Sequence, residues 1–89
     1  MPTALHSYIE RHGSTLELGH RCYTIEGISG DAETAVATLR AARATYTAIL
    51  CTRTRVIGRP QAEAWTILGP RGRTIASFAI DNDTVIHLH

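Results

Sequence analysis

The residues able to bind a metal or to act in catalysis are few and widely spaced in this sequence. His87 and His89 lie two positions apart near the end of the chain. Alternate residues of a strand share a face, so this pair has a spacing that can chelate a metal. Cys22 and Cys51 are single thiols, and neither belongs to a Cys-x-x-Cys pair. No third ligand can be placed beside either set, so we predict no metal ion and no cofactor.

Other patterns of catalytic or ligand-binding chemistry are incomplete. The segment Asp81-Asn82-Asp83 resembles the start of a calcium loop, but the glycine and the distal glutamate of an EF-hand are missing. We expect a turn at this position. No Gly-x-Ser-x-Gly motif is present, and the glycines form no phosphate-binding loop. The sequence therefore predicts no catalytic residue, and we expect the protein not to be an enzyme.

The basic residues are the feature that rises above this background. All nine are arginines, and seven of them fall within residues 40–73, where Glu63 is the single acid. Seven minus one gives that stretch a net charge of +6, against +1 for the whole chain. Arginine keeps its charge, binds carboxylates and phosphates with a planar fork, and suits interfaces better than lysine does. A GC-rich coding sequence is an alternative origin of the bias.

A candidate partner-binding surface lies within this stretch. Arg53 and Arg55 stand two apart on a predicted strand, so their side chains share a face. Arg59, Arg71 and Arg73 lie in or beside predicted turns, and they extend the same surface if those turns cluster. The predicted partner-binding residues are therefore Arg53, Arg55, Arg59, Arg71 and Arg73.

The first elements that must position these residues are a helix and a hairpin. Helical spacing predicts a short amphipathic helix over residues 3–12, capped by Thr3 and ended by Gly13. Strict alternation then predicts two antiparallel strands, at residues 15–18 and 21–26, joined by a two-residue turn. One face of this hairpin is apolar and the other polar, as expected for an antiparallel pair.

A second and stronger helix is predicted over residues 31–43. Asp31 and Glu33 are placed to complement its N-terminal dipole, and Arg40 and Arg43 its C-terminal end. The apolar residues at helical spacing are Ala32, Ala35, Val36, Leu39 and Ala42.

Four strands are predicted after this helix, with Trp65 in the core. They cover residues 45–57, 62–68, 73–80 and 84–88. The order α-β-β-α-β-β-β-β predicts a single α+β domain over residues 1–89. Its expected architecture is a twisted antiparallel sheet of five to six strands with two helices on one face.

Composition places this domain in a broad class. Hydrophobic residues make up 44% and charged residues 19% of the chain, which is typical of a folded domain. No apolar run approaches the ~20 residues of a membrane span, and no signal-peptide pattern opens the sequence. We therefore expect a cytoplasmic protein with free thiols and no membrane contact, although the spacing of Cys22 and Cys51 leaves a disulfide open.

These expectations favour a small non-enzymatic interaction module that binds an acidic surface of a protein partner through its arginine-bearing face. An adaptor, an assembly subunit or an inhibitor, including a phage- or plasmid-type inhibitor of host defence, fits this size, although no residue pattern points to one of them. The first alternative is a nucleic-acid-binding domain that uses the same arginines. The second is a small histidine- or cysteine-dependent metal protein or enzyme. The oligomeric state stays open.

Overall fold

A computed structural model describes residues 3–31 and 33–88 as one helix followed by seven strands. The helix α1 spans Ala4–His12, and the strands are β1 Thr15–Leu18, β2 Arg21–Ser29, β3 Val36–Ala41, β4 Ala44–Cys51, β5 Glu63–Leu68, β6 Thr74–Asp81 and β7 Thr84–His87. Each strand pairs antiparallel with the next one along the chain. The sheet curls into a nearly closed barrel, with β1 and β7 as its outermost strands.

The connections alternate between the two ends of the barrel, because every pair of neighbouring strands is antiparallel. The β2–β3 connection, the β4–β5 loop (residues 52–62) and the β6–β7 turn lie at the end that carries α1, which we call the helix end. The β1–β2, β3–β4 and β5–β6 turns lie at the opposite end, which we call the turn end. Two connections that are joined by a single strand therefore lie at opposite ends of the barrel.

Apolar side chains fill the inside of the barrel. Every second residue of β1 and of β3 is buried, as expected for strands with one packed face. Trp65 and Phe78 are fully buried, and their nearly parallel rings have centroids 6.2 Å apart. The prediction that Trp65 lies in the core is confirmed.

Helix α1 covers the helix end of the barrel, and the predicted cap and end are confirmed. The side chain of Thr3 accepts a backbone hydrogen bond at 3.2 Å, and Gly13 ends the helix at φ +89°. Leu5 is fully buried and anchors α1 in the core. Near the last turn, Arg11 pairs with Asp83 of the β6–β7 turn at 2.7 Å.

Glu63 joins α1 to the sheet. Its carboxylate accepts hydrogen bonds from the backbone N–H groups of Ala4 at 3.0 Å and Leu5 at 3.3 Å. The indole N–H of Trp65 donates to the same carboxylate at 2.9 Å. A carboxylate beside the first helical turn satisfies amides that lack a partner within the helix, and the helix dipole favours it. The single acid of residues 40–73 is therefore engaged in holding the fold together.

The predicted helix over residues 31–43 is wrong, because this segment forms the β2–β3 connection and strand β3. Asp31 does accept hydrogen bonds from the amides of Glu33 and Thr34, at 3.0 and 3.2 Å, as a helix cap would. The chain then extends into β3 instead of winding into a helix. The capping side chain is thus used in a turn, which is the other common role of aspartate. Residue 32 lies outside the described residues.

Alanines explain why the helix prediction was wrong. Ala37, Leu39 and Ala41 are buried at every second position, and β3 pairs with β2 on one side and β4 on the other. Alanine is the best helix former, so its local preference opposed the strand. Pairing on both edges overrides that preference.

The remaining strands show where the fold prediction holds. The β1–β2 hairpin and strands β5, β6 and β7 lie close to their predicted positions, but the strand predicted over residues 45–57 ends at Cys51. A small antiparallel-sheet domain is confirmed. The predicted architecture of five to six strands with two helices on one face is wrong, since residues 3–31 and 33–88 form seven strands and one short helix.

Candidate binding surface

The five arginines predicted to bind a partner fall into two groups. Arg53, Arg55 and Arg59 lie in the β4–β5 loop at the helix end, and Arg71 and Arg73 lie in or beside the β5–β6 turn at the turn end. The six residues of β5, roughly 20 Å of strand, lie between the loop and the turn. The two segments therefore begin at opposite ends of β5, and the predicted clustering of turns is not found.

The shape of the β4–β5 loop also differs from the prediction. Arg53 and Arg55 were expected to share a strand face, but β4 ends before them at Cys51. A turn begins there, with the amide of Thr54 donating to the carbonyl of Cys51 at 3.4 Å. The two arginines are thus displayed by a loop and not by a strand.

Three further contacts stabilise the loop. The amide of Arg59 donates to the carbonyl of Val56 at 3.0 Å, across a tight turn in which Gly58 has φ +80°. The amide of Ala62 donates to the carbonyl of Arg59 at 3.1 Å. The guanidinium of Arg59 pairs with the carboxylate of Asp81, at the end of β6, at 2.9 Å. Arg59 is therefore part of the support of the loop.

The loop lies against the outer side of the sheet. Ala64 and Ala79 are cross-strand partners on this outer side, yet both are buried. Beside them, a groove of about 430 Å³ separates the loop from β7 and the residue after it. The residues lining this groove are Thr54, Arg55, Val56, Ile57, Arg59, Ile86 and Leu88. Its lining combines aliphatic side chains with two guanidinium groups and contains no acid.

Among the exposed side chains of the loop, two unpaired arginines and one isoleucine stand out. Arg53 and Arg55 are exposed, and neither has a hydrogen bond or ion pair within residues 3–31 and 33–88. Ile57 is 100% exposed, beside the glycine of the tight turn. Sequence reasoning missed Ile57, because it read this residue as the last apolar position of a strand. Gly58 was assigned to the turn that follows, so Ile57 beside it was not recognised as part of the turn tip.

A second groove at the helix end lies between the β2–β3 connection and the β4–β5 loop. It measures about 430 Å³, and Glu33, Cys51, Arg55 and Gln61 are among its lining residues. The hydrogen bonds from the amide of Glu33, and then from Thr34, lower the pKa of Asp31 below its ordinary value. The β2–β3 connection therefore carries negative charge beside the basic loop.

The turn end is compact and basic. In the β5–β6 turn the amide of Gly69 donates to the carbonyl of Arg73 at 2.8 Å. Arg71 and Arg73 are exposed, and no side-chain partner is found for either among the described residues. At the same end, the Arg21 guanidinium lies 5.8 Å from the ring centroid of Tyr46.

Tyr23 of β2 and Tyr46 of β4 lie close to Arg21 and strengthen its hold on the proton. A hydrogen bond with Tyr23, followed by the nearby Tyr46, raises the pKa of Arg21 above its already high ordinary value. Arg21 therefore stays protonated throughout the accessible pH range. Unlike Arg71 and Arg73, it packs against an aromatic ring of the protein's own surface.

The histidines, cysteines and aspartates do not converge within the part of the chain that the structure describes. No group of three or more metal-binding side chains is found there, and His89 lies outside those residues. Cys22 is exposed and Cys51 half-buried, and both thiols are free. The predicted turn at residues 81–83 is confirmed, with Asn82 at φ +57°. Helix α1, the single helix of the described residues, is too short to span a membrane.

Comparison with known proteins finds no relative of this chain. No protein-family model, no curated protein and no solved structure matches the chain.

Proposed function

We propose that the protein is a non-enzymatic binding module that contacts an acidic surface of a partner protein through its β4–β5 loop. The observation that carries the proposal is the presence of unpaired Arg53 and Arg55 together with the fully exposed Ile57 on one loop. Arginine is enriched at protein interfaces, and apolar contacts near their centre supply much of the affinity. This loop offers both kinds of contact.

The fixed conformation of the loop supports the proposal. A flexible loop loses conformational entropy when a partner orders it, and this loss reduces the affinity. Here the backbone hydrogen bonds of the turn and the pair between Arg59 and Asp81 already hold the loop in place. The exposed side chains can therefore be presented at a smaller entropic cost.

The charge of the loop supports an acidic partner. A guanidinium binds a carboxylate with two parallel hydrogen bonds, and rim charges of opposite sign accelerate association. The aliphatic residues of the groove between the loop and β7 would then receive an apolar side chain of the partner. An acidic surface with a protruding aliphatic residue is the matching chemistry.

A nucleic acid is the alternative partner for the same arginines. Phosphate backbones are bound by continuous tracks of cations. Beside this loop, Glu33 lines the same groove as Arg55, and Asp81 pairs with Arg59. These carboxylates interrupt the track of cations that a phosphate backbone needs, whereas a protein partner can place its acids opposite Arg53 and Arg55 alone.

Four purified proteins test the proposal: the wild type, the double variant Arg53→Glu/Arg55→Glu, the single variant Ile57→Asp, and the control Arg71→Glu/Arg73→Glu. Each is immobilised and exposed to a lysate of the native host, and any retained protein is then purified and titrated. We expect a protein with an acidic surface to bind the wild type and the control equally. Its affinity for both loop variants should fall at least roughly tenfold, mainly through slower association for the charge variant.

The control separates a local effect from a general loss of positive charge. It changes two exposed arginines in the same way but at the opposite end of β5. All four proteins should melt at nearly the same temperature, because the altered side chains are exposed. Unchanged affinity in both loop variants would contradict the proposal. Tight binding of a DNA duplex or of polyuridine RNA that weakens steeply with salt would replace it with the nucleic-acid alternative.

A further inference from the structure

The turn end of the barrel contains a cavity that the proposed function does not use. It measures about 380 Å³ and lies between the first two strands and the last two. We call this cavity the mouth, and its lining residues are Leu18, Arg21, Tyr23, Ile75, Ala76 and His87. The mouths of β-barrels are preferred places for small-molecule sites, whose volumes are usually about 300–1,000 Å³.

The inner part of the mouth is apolar. Leu18, Tyr23 and Ala76 are only 4%, 2% and 8% exposed, and they belong to the core of the barrel. The ring of His87 lies against Gly19 of the β1–β2 turn, where a Cβ at position 19 would be 3.5 Å from its Cε1 and Nδ1 atoms. This contact joins β7 to the β1–β2 turn, so the two outermost strands are in contact beside the mouth. The floor of the mouth can therefore receive an apolar group.

A β-bulge turns a further aliphatic side chain towards the mouth. Neighbouring residues of a regular strand point to opposite faces of a sheet, yet Ile75 and Ala76 of β6 both line the mouth. The pairing of β6 with β5 passes from Ala76 directly to Thr74, which leaves Ile75 as an extra residue. Bulges at the rims of barrels commonly redirect a side chain in this way. Ile75 is 43% exposed, so it adds an accessible apolar surface at the rim.

Arg21 places a positive charge at the same rim. Its guanidinium donates to the hydroxyl of Tyr46 at 3.4 Å and lies 5.8 Å from the centroid of that ring. A hydrogen bond with Tyr23, and then the nearby Tyr46, raise the pKa of Arg21, so the charge is permanent. A guanidinium has five N–H donors in a planar fork. The contact with Tyr46 therefore positions the group and leaves donors available for an anion.

We propose that the mouth binds a small carboxylate with an apolar body, such as a medium-chain fatty acid. The carboxylate would accept two parallel hydrogen bonds from Arg21, and the hydrocarbon would pack on Leu18 and Ile75. At the ~30 Å³ that one water molecule takes in the liquid, the mouth has room for roughly a dozen non-hydrogen atoms. A ligand of the size of octanoate fits this volume.

The charge of the turn end favours an anion over a neutral or cationic ligand. Arg43, Arg71 and Arg73 lie in or beside the other turns of this end, and the three turns contain no acid. Charges of one sign around a concave site raise the local concentration of ions of the opposite sign. Among these arginines only Arg21 lines the mouth, and no acid is found among the described residues that line it. A single guanidinium beside an apolar floor matches one carboxylate better than a polyanion.

Titration of the wild type with octanoate, followed by NMR, tests the proposal. The amide resonances of Leu18, Gly19 and Ala76 should shift and saturate, with a Kd of roughly 0.1–1 mM. Octanamide has the same body without the charge, and acetate has the charge without the body. Each should bind at least roughly tenfold more weakly than octanoate, because each makes only one of the two kinds of contact.

Three variants assign the contacts to residues. Arg21→Gln keeps a hydrogen-bonding side chain without the charge, and it should weaken octanoate at least roughly tenfold and remove its advantage over octanamide. Arg71→Gln makes the same change at the same end but outside the mouth, so its affinity should stay within about twofold of the wild type. Ile75→Ala should weaken octanoate severalfold without affecting acetate. All three side chains are exposed, and circular dichroism checks that each variant folds.

Each result decides for or against the carboxylate site. Equal affinity for octanoate and octanamide would overturn the proposal, and so would unchanged affinity in Arg21→Gln. No shift at Leu18, Gly19 and Ala76 with octanoate at about 10 mM would equally overturn it. The variant Arg53→Glu/Arg55→Glu alters only the helix end and should bind octanoate as the wild type does. The mouth and the proposed partner-binding function therefore stand or fall separately.

Discussion

The two arginine-bearing regions at the ends of β5 differ in how the fold uses their side chains. In the β4–β5 loop, Arg59 is bound to Asp81, while Arg53 and Arg55 are left unpaired beside the exposed Ile57. The β5–β6 turn also has a hydrogen-bonded backbone, and the exposed aliphatic residue nearest to it in sequence is Ile75 of β6, which is 43% exposed. Both regions therefore combine positive charge with an aliphatic side chain. They differ in the exposure of that side chain, which is complete for Ile57 at the tip of the loop and partial for Ile75 on a strand.

Their surroundings differ as well, and this connects each region to a different kind of partner. The loop lies beside the acidic β2–β3 connection, where Asp31 and Glu33 are found. The turn end brings Arg43, in the β3–β4 turn, to the same end as Arg71 and Arg73, and those two turns contain no acid. A mixed-charge region with an apolar tip suits a protein partner. If the chain bound a nucleic acid, the turn end would be the better surface.

The largest expected effect comes from the strand that joins the two regions. Trp65 of β5 is fully buried against Phe78, and its indole donates to Glu63. Trp65→Ala should lower the free energy of unfolding by about 3–5 kcal/mol, a large share of the roughly 4–13 kcal/mol available to a chain of this length. Urea unfolding, monitored by circular dichroism, measures this change in the free energy of unfolding.

Trp65→Phe is the matched control, because it keeps most of the buried area and loses the indole N–H. Its cost should be well below that of the alanine variant. If Trp65→Ala lowers the free energy of unfolding by less than about 1 kcal/mol, Trp65 does not hold β5, the strand between the two regions, in the core.

A smaller effect should distinguish the loop from the turn. Arg59→Ala removes the pair with Asp81, whose side chains are 47% and 22% exposed, respectively. Such a pair is worth less than about 1 kcal/mol to global stability. Hydrogen exchange at the amides of Arg59 and Ala62 should nevertheless accelerate in that variant, because the loop loses its tie to β6. Exchange can be followed at position 59 itself, because the alanine variant keeps a backbone amide there.

Arg71→Ala supplies the comparison from the opposite end. Arg71 has no side-chain partner within residues 3–31 and 33–88, so its removal should alter neither stability nor exchange in the β5–β6 turn. Equal acceleration at both ends, or none in Arg59→Ala, would show that the ion pair does not order the loop.

Local turn chemistry explains which parts of the fold could be predicted from sequence. Thr3 and Gly13 mark the ends of α1, and Gly19 at φ +62° closes the β1–β2 turn. These features depend on a few neighbouring residues. Strand β3 does not, because its alternation is built from alanines that equally suit a helix, and partners distant in sequence decide the outcome.

The candidate site was harder to predict for a related reason. The segment from Thr52 to Arg55 has residue types common in strands, and its departure from the sheet depends on tertiary contacts of the loop. The small side chains of Ala64 and Ala79 leave room for the loop on the outer side of the sheet. No pattern in the sequence links these two alanines to the arginines of the loop. The sequence names the five arginines as candidates, but it does not reveal that they divide between the two ends of β5.

The smallest predicted effect is a pH dependence that should be confined to the helix end. The amides of Glu33 and Thr34 donate to the carboxylate of Asp31 and lower its pKa. A carboxyl whose pKa is lower in the folded state stabilises that state above its unfolded pKa, and this contribution is lost as pH falls through the folded pKa. The β2–β3 connection should therefore loosen in acid. The amide resonances of Glu33 and Thr34 should shift with a midpoint below about pH 3.9, the ordinary value for aspartate.

The resonances of Gly69 and Gly72 should not follow this transition, since no carboxylate takes part in the hydrogen bonds of their turn. Asp31→Asn should abolish this transition, and a midpoint at or above the ordinary value would show that the amides do not hold the carboxylate.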